Sequence, residues 1–126
     1  MRIISGSTSK GGHYSPGIVS RGMLYISGQL PLDRETGKIV SGGIREHTCA
    51  ALHNVEHILE EAGLGKESVV LCRVYIPDVC LWDDVNSVYA SFFGVNKPAR
   101  VIVPTRELHH GALIEIEAVA EMSEED

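Results

Sequence analysis

The chain is short of the features that most readily declare a function. It has 11 Lys and Arg against 17 Asp and Glu in 126 residues, a net charge of −6. Such a surface repels phosphate backbones, and no basic stripe with interleaved aromatics appears, which argues against nucleic acid as a partner. Cysteine is scarce: Cys49, Cys72 and Cys80 form no CxxC pair and cannot all be bridged. They fit reduced thiols in a cytoplasm, each a small hydrophobe. No run approaches the roughly 20 apolar residues of a membrane helix, and Met1 to Gly12 holds no apolar stretch long enough for a signal peptide. Linkers, repeats and low-complexity segments are missing too. The expectation is a soluble, cytoplasmic protein with no membrane partner, a single domain over residues 1–126.

What is present alternates between two periods. Ile18 to Ser20 and Met23 to Ser27 are short β-prone runs split by Arg21 and Gly22, a hairpin, and Asp33 to Gly37 is a further turn. From Gly43 to Ala62 the stripe Thr48, Ala51, Leu52, Val55, Ile58, Leu59, Ala62 predicts a helix closed by Gly63. Ser68 to Ile76 reads as a strand. Trp82, Val85, Val88, Tyr89 and Phe92 then repeat at helical spacing up to Gly94, with Asp83 and Asp84 suited to the positive end of the dipole. Pro98 to Val103 and Gly111 to Ala118 complete the strands, with an edge strand at Arg2 to Ser5.

The layout is an α+β sandwich: a mixed sheet of six strands with two helices on one face. Two helices cover only one side. Yet Ser68 to Ile76 is apolar on both, with Val70, Cys72, Val74 and Ile76 alternating against Val69, Leu71 and Tyr75, broken only by Arg73. A second copy of the chain is the simplest cover for the other face.

Several motifs carry less than their spelling suggests. His53, Glu56 and His57 spell H-x-x-E-H on a helix, but they lie off the apolar stripe and no third ligand is evident, so a solvated face is expected and no metal. His109 and His110 sit in a turn. Gly6 to Gly12 has the glycines of a phosphate loop without the following Lys and Ser/Thr, and Pro16 and Gly17 forbid the helix that should follow. No serine is marked as a strained nucleophile, so no Ser-His-Asp triad is assigned.

The informative residues are Arg100, within Pro98 to Val103, and the glutamates of the last strand. Arginine in an apolar strand is costly unless it binds an anion, and its planar fork matches a carboxylate. Alternation sets Ile114, Ile116, Ala118 and Ala120 on one face and Glu115, Glu117 and Glu121 on the other. Arg100 and a glutamate on neighbouring strands are expected to flank one cleft for a small acidic ligand. The alternative is an intersubunit ion pair of Arg100 with Glu115 or Glu117.

Taken in order, Gly12 with Tyr14, Ser15 and Pro16; Ile26 to Pro31; Asp33, Thr36 and Gly37; Val85, Asn86, Tyr89, Phe92 and Phe93; Pro98, Ala99 and Arg100; and Ile114 to Ala118 resemble the reactive intermediate deaminase family, Rid or YjgF. The resemblance implies a chorismate-mutase-like fold, a homotrimer with ligand clefts between subunits, and cofactor-free hydrolysis of 2-imino or enamine acids such as 2-iminopropanoate and 2-iminobutanoate to 2-keto acids and ammonia. It also implies roles: Arg100 holds the substrate carboxylate, Glu115 positions or activates water, Tyr14 lines the site across the interface, and Ser27, Gly28 and Asn86 are pocket positions. Two departures stand out. Ile102 occupies a position often cysteine in active members, and Pro104 one commonly acidic, which implies a more apolar pocket. Relatives also carry a ribonuclease or translation-inhibitor label, which the acidic chain argues against. A non-catalytic regulator binding small carboxylates in the same cleft is the second reading.

Overall fold

Arg21 and Gly22 set the first hairpin. Both have left-handed backbone, φ 53° and 77°, as a type I′ turn requires, and they join β2 (Gly17–Ser20) to β3 (Met23–Gln29). A computed structural model describes residues 1–5 and 12–123, so the glycine-rich segment 6–11, read above as a loop, lies outside the described residues. The other elements are β1 (Arg2–Ile4), α1 (Ile44–Glu61), β4 (Val69–Ile76), α2 (Trp82–Phe93), β5 (Ala99–Pro104) and β6 (Glu115–Glu121). They form one six-stranded sheet in the order β1-β2-β3-β6-β4-β5. Only β4 and β5 are parallel, and α2 is the crossover such a pair needs.

Both helices lie on one face. The predicted stripe of α1 is buried throughout, with Ala51, Leu52, Val55 and Leu59 fully enclosed against Leu24 and Ile26 of β3, Val74 and Ile76 of β4, and Ile116 and Ala118 of β6. Each enclosed Leu, Ile or Val contributes roughly 1.5–3 kcal/mol through lost apolar contact with water. Val85, Tyr89 and Phe93 of α2 extend the same core. No element covers the opposite face among the described residues, where Ile3, Tyr25 and Val101 are 61%, 49% and 45% exposed.

Three expectations need correction. The pairing of β4 with β6 shifts register between Val69 and Leu71, so Val69 turns into the core while Val70 faces outward instead of sharing the side of Cys72. β6 starts at Glu115, not Gly111, because His110 and Gly111 adopt left-handed backbone in a 3-10 turn over His109–Gly111. Arg100 and Glu115 are not on neighbouring strands, since β4 separates β5 from β6.

Buried polar side chains tie the loops to α1. Asn54 donates to the carbonyls of Leu30 and Leu32, both at 3.0 Å, and pins the chain leaving β3. His47, likewise buried, accepts the Leu113 N–H at 3.2 Å and holds the approach to β6. Replacing Asn54 by Ala strands two carbonyls and should lower unfolding free energy by about 2 kcal/mol in urea titration. A loss within experimental error would show that water satisfies both carbonyls.

Candidate functional site

Arg100 projects toward α2. It pairs in register with Cys72, itself opposite Ala118, and so occupies the helix-covered side of the sheet at its β5 edge. There its guanidinium donates to Asn86 Oδ1 at 2.9 Å and lies 4.8 Å from the Tyr89 ring centroid and 5.4 Å from that of Trp82. The helical spacing of Trp82, Asn86 and Tyr89 puts all three on one side of α2, forming an aromatic and amide cradle. No carboxylate of the described residues is in salt-bridge range of Arg100. A cavity of about 460 Å³ opens beside it, lined among others by Asn86, Tyr89, Phe93, Lys97 and Arg100. The arrangement is a cation oriented from behind and available to an anion in front.

Beneath this cradle the environment is apolar. Burial pushes the Cys72 thiol up to about 11, only partly offset by Tyr89 and the Arg100 charge. Burial likewise raises Tyr89, whose hydroxyl lies beside that thiol, a weak partner, and has no hydrogen bond of good geometry among the described residues. Ile102, two residues beyond Arg100 and in register with Val74, adds an apolar wall on the same side.

Glu115 lies on the other face of the sheet. It pairs with Tyr75 across β4 and its carboxylate sits directly over Gly28, where a Cβ would come within 2.5 Å of Oε2. Gly28 belongs to a register shift between Ile26 and Gln29 of β3 that brings the backbone up under the carboxylate. Ser27 anchors this segment: its hydroxyl donates to Ser15 O at 2.6 Å and its N–H to Pro16 O at 2.9 Å, which ties the two residues after Tyr14 to β3. Tyr14 is 51% exposed. Burial, reinforced by the like charge of Glu117 and opposed by His109, holds the Glu115 carboxyl above the ordinary glutamate range. Glu117 is engaged elsewhere, accepting from Tyr75 Oη at 2.5 Å and lying 3.7 Å from Arg73.

Each chain thus carries Arg100 with Asn86 and Ile102 on the helix-covered side of the sheet, and Glu115 over Gly28 on the other. A family model described as Endoribonuclease L-PSP matches residues 7–122. The chain belongs to this family, the Rid or YjgF proteins. It is 44% identical over 109 residues to the RutC family protein PH0854 of Pyrococcus horikoshii, covering 86% of each chain. It is 39% identical over 121 residues to the human 2-iminobutanoate/2-iminopropanoate deaminase, covering 94% of this chain and 88% of the relative. The Rid-family protein YyfA of Yersinia pestis superposes with a TM-score of 0.91 at 35% identity, covering 96% of this chain and 98% of that one.

In this Rid protein the structure separates what the sequence joined. Arg100 and Glu115 do not converge within one chain, and Arg73, not Arg100, faces Glu117. Asn86, expected in the pocket, directly holds Arg100. Trp82 and Tyr89 were legible only as helix packing, since nothing in the spacing announces the cation they flank. His53 is exposed, edge-on to Phe92 at 6.0 Å, and His57 Nε2 lies 2.8 Å from Arg34 and 3.0 Å from Glu61. Among the described residues no group of three or more His, Cys, Asp or Glu is placed to hold a metal ion, and no helix is long and apolar enough to cross a membrane.

The raised Glu115 carboxyl has a definite sign. Ionising it costs the fold stability progressively as pH rises from the ordinary glutamate range through the folded value. In side-chain carbon NMR, Glu115 should titrate above a model glutamate. Glu117→Gln should bring it down, and His109→Asn should move it up. A Glu115 titration at the ordinary value in the intact chain would contradict the buried setting described.

Proposed function

We propose that this Rid-family chain hydrolyses small 2-imino acids, in equilibrium with their enamines, to 2-keto acids and ammonia, in clefts formed between copies of the chain. The observation that carries the reading is the Arg100 guanidinium, oriented by Asn86, Tyr89 and Trp82 with no carboxylate of the described residues paired to it. Its fork fits a substrate carboxylate in two-point geometry. The deaminase named among the relatives supports the same reaction class.

Arg100 and Glu115 lie on opposite faces of one sheet, so a cleft holding both draws them from two copies. The outer sheet face, with Ile3, Tyr25 and Val101 exposed, is the surface we assign to a homotrimer interface, and Tyr14 lines the cleft from the Glu115 side. Arg100 fixes the carboxylate, while the apolar wall at Ile102 favours a short aliphatic side chain. Water positioned by Glu115 attacks the imine carbon as the carboxylate takes its proton. Glu115 returns its proton to the nitrogen of the resulting carbinolamine, the hydroxyl gives up its proton to water as the C–N bond breaks, and ammonia and the keto acid leave. A carboxyl raised above the ordinary glutamate range is a stronger base for taking that proton from water. An imine carbon is already electrophilic, so orientation and one base suffice without a metal.

The test generates the imine in situ with a serine or threonine dehydratase and follows keto-acid release. Wild type should accelerate release in the presence of EDTA. Arg100→Ala should abolish the effect, Glu115→Gln should lower turnover roughly a hundredfold, and Glu117→Gln should do much less. If the clefts combine two copies, unfolding and reassembling an equal mixture of the Arg100→Ala and Glu115→Gln chains should restore up to about a quarter of wild-type activity, since one cleft in four then has both intact groups. Wild type that binds a keto acid through Arg100 but accelerates nothing would establish the regulatory binding protein instead, and a mixture with no recovery would reject the shared cleft.

A further inference from the structure

On the far side of α2 from Arg100, a second groove runs between the helices. It encloses about 410 Å³ and is lined by Arg45, Cys49 and His53 of α1, Lys66 of the following turn, and Ser91 and Phe92 of α2, among others. Three side chains able to carry positive charge converge here in a protein of net charge −6. Lys66 Nζ sits 4.6 Å above the Phe92 ring, and Arg45 is held at 2.9 Å from Asp84, which does not line the groove. Cys49 is exposed, one helical turn before His53, and its Sγ lies 3.5 Å from Nδ1 of that ring. A nucleophile, a proton acceptor, cations and an aromatic surface therefore share one recess.

We propose that this groove is a thiol-exchange site that binds a small anionic disulfide, one carrying carboxylates on an organic frame, and takes it onto Cys49. Arg45 and Lys66 attract the carboxylates and Phe92 supports the frame. Cys49 gives its proton to His53, the thiolate attacks one sulfur of the disulfide, and the S–S bond breaks. The departing thiolate takes up a proton, and a mixed disulfide remains on Cys49, removable by excess thiol. The incoming disulfide is the oxidant, so no further reagent is needed. The site involves none of the residues assigned to imine hydrolysis and stands whether or not that reading does.

The chain provides its own comparison in Cys80, an exposed thiol with the opposite setting. A hydrogen bond with the Asp78 carboxylate holds the Cys80 thiol above its ordinary range, and the same carboxylate repels an anionic reagent. Cys72 is buried. The experiment treats the folded, full-length chain at neutral pH with dithiobis-nitrobenzoate, an aromatic disulfide bearing two carboxylates, and with dithiodipyridine, a neutral one. Cys49→Ser and Cys80→Ser variants assign the phases. Cys49 should react with the anionic reagent at least about tenfold faster than Cys80. Lys66→Gln should slow that reaction about threefold or more while leaving the neutral reagent's rate on Cys49 unchanged. Equal rates at Cys49 and Cys80 overturn the proposal. So does a Lys66→Gln effect that is absent, or the same for both reagents.

Discussion

The two-residue period of β6 governs this molecule. Because β6 lies in the middle of the sheet, with β3 on one side and β4 on the other, its alternation is imposed on both neighbours. Ile116, Ala118 and Ala120 turn under α1 and are almost wholly enclosed. Their intervening partners, Glu115 and Glu117, must then face the side no helix covers. A one-residue slip would place two carboxylates in the core and expose three apolar side chains. The position of the carboxylates follows from the same packing that stabilises the fold.

That packing also explains why charge is arranged so differently at the two ends of the sheet. Arg100 is on an edge strand, where a long side chain reaches past the sheet and meets α2. An aromatic face and an amide oxygen compensate part of its lost hydration without neutralising it. Glu117, inside the sheet, has Tyr75 and Arg73 of β4 beside it and is satisfied within the chain. Glu115, two residues earlier, stands over a glycine and has no such partners among the described residues. Three charged residues of similar appearance in the sequence thus differ in availability.

Much of this was legible beforehand. The apolar stripe from Thr48 to Ala62 announced α1 because a 3.6-residue period leaves few alternatives, and the Arg21-Gly22 pair marked a turn that the backbone angles bear out. The ranking of Glu115 over Glu117 was not, since it depends on which β4 residues lie opposite, and register between strands about 40 residues apart leaves no local trace. Asn54 and His47 lie outside the apolar stripe, so the helical period does not announce their burial; both are buried and bond to loop backbone far along the chain. The faces of Val69 and Val70 were misassigned for a related reason, a bulge that interrupts simple alternation. Family resemblance supplied the candidate residues, and only the fold divided them between two surfaces.

The glycine beneath Glu115 has a consequence for how such a protein could diverge. Arg100 and its cradle reside on β5 and α2, whereas the Glu115 carboxylate needs an empty space at position 28 on β3. The two groups are therefore adjustable separately. A single methyl group at that position would displace one carboxylate while the Arg100 cradle stayed intact, which under the proposed function turns a catalyst into a receptor for the same class of acid. On that proposal, a hydrolase and a sensor in this architecture stand one side chain apart.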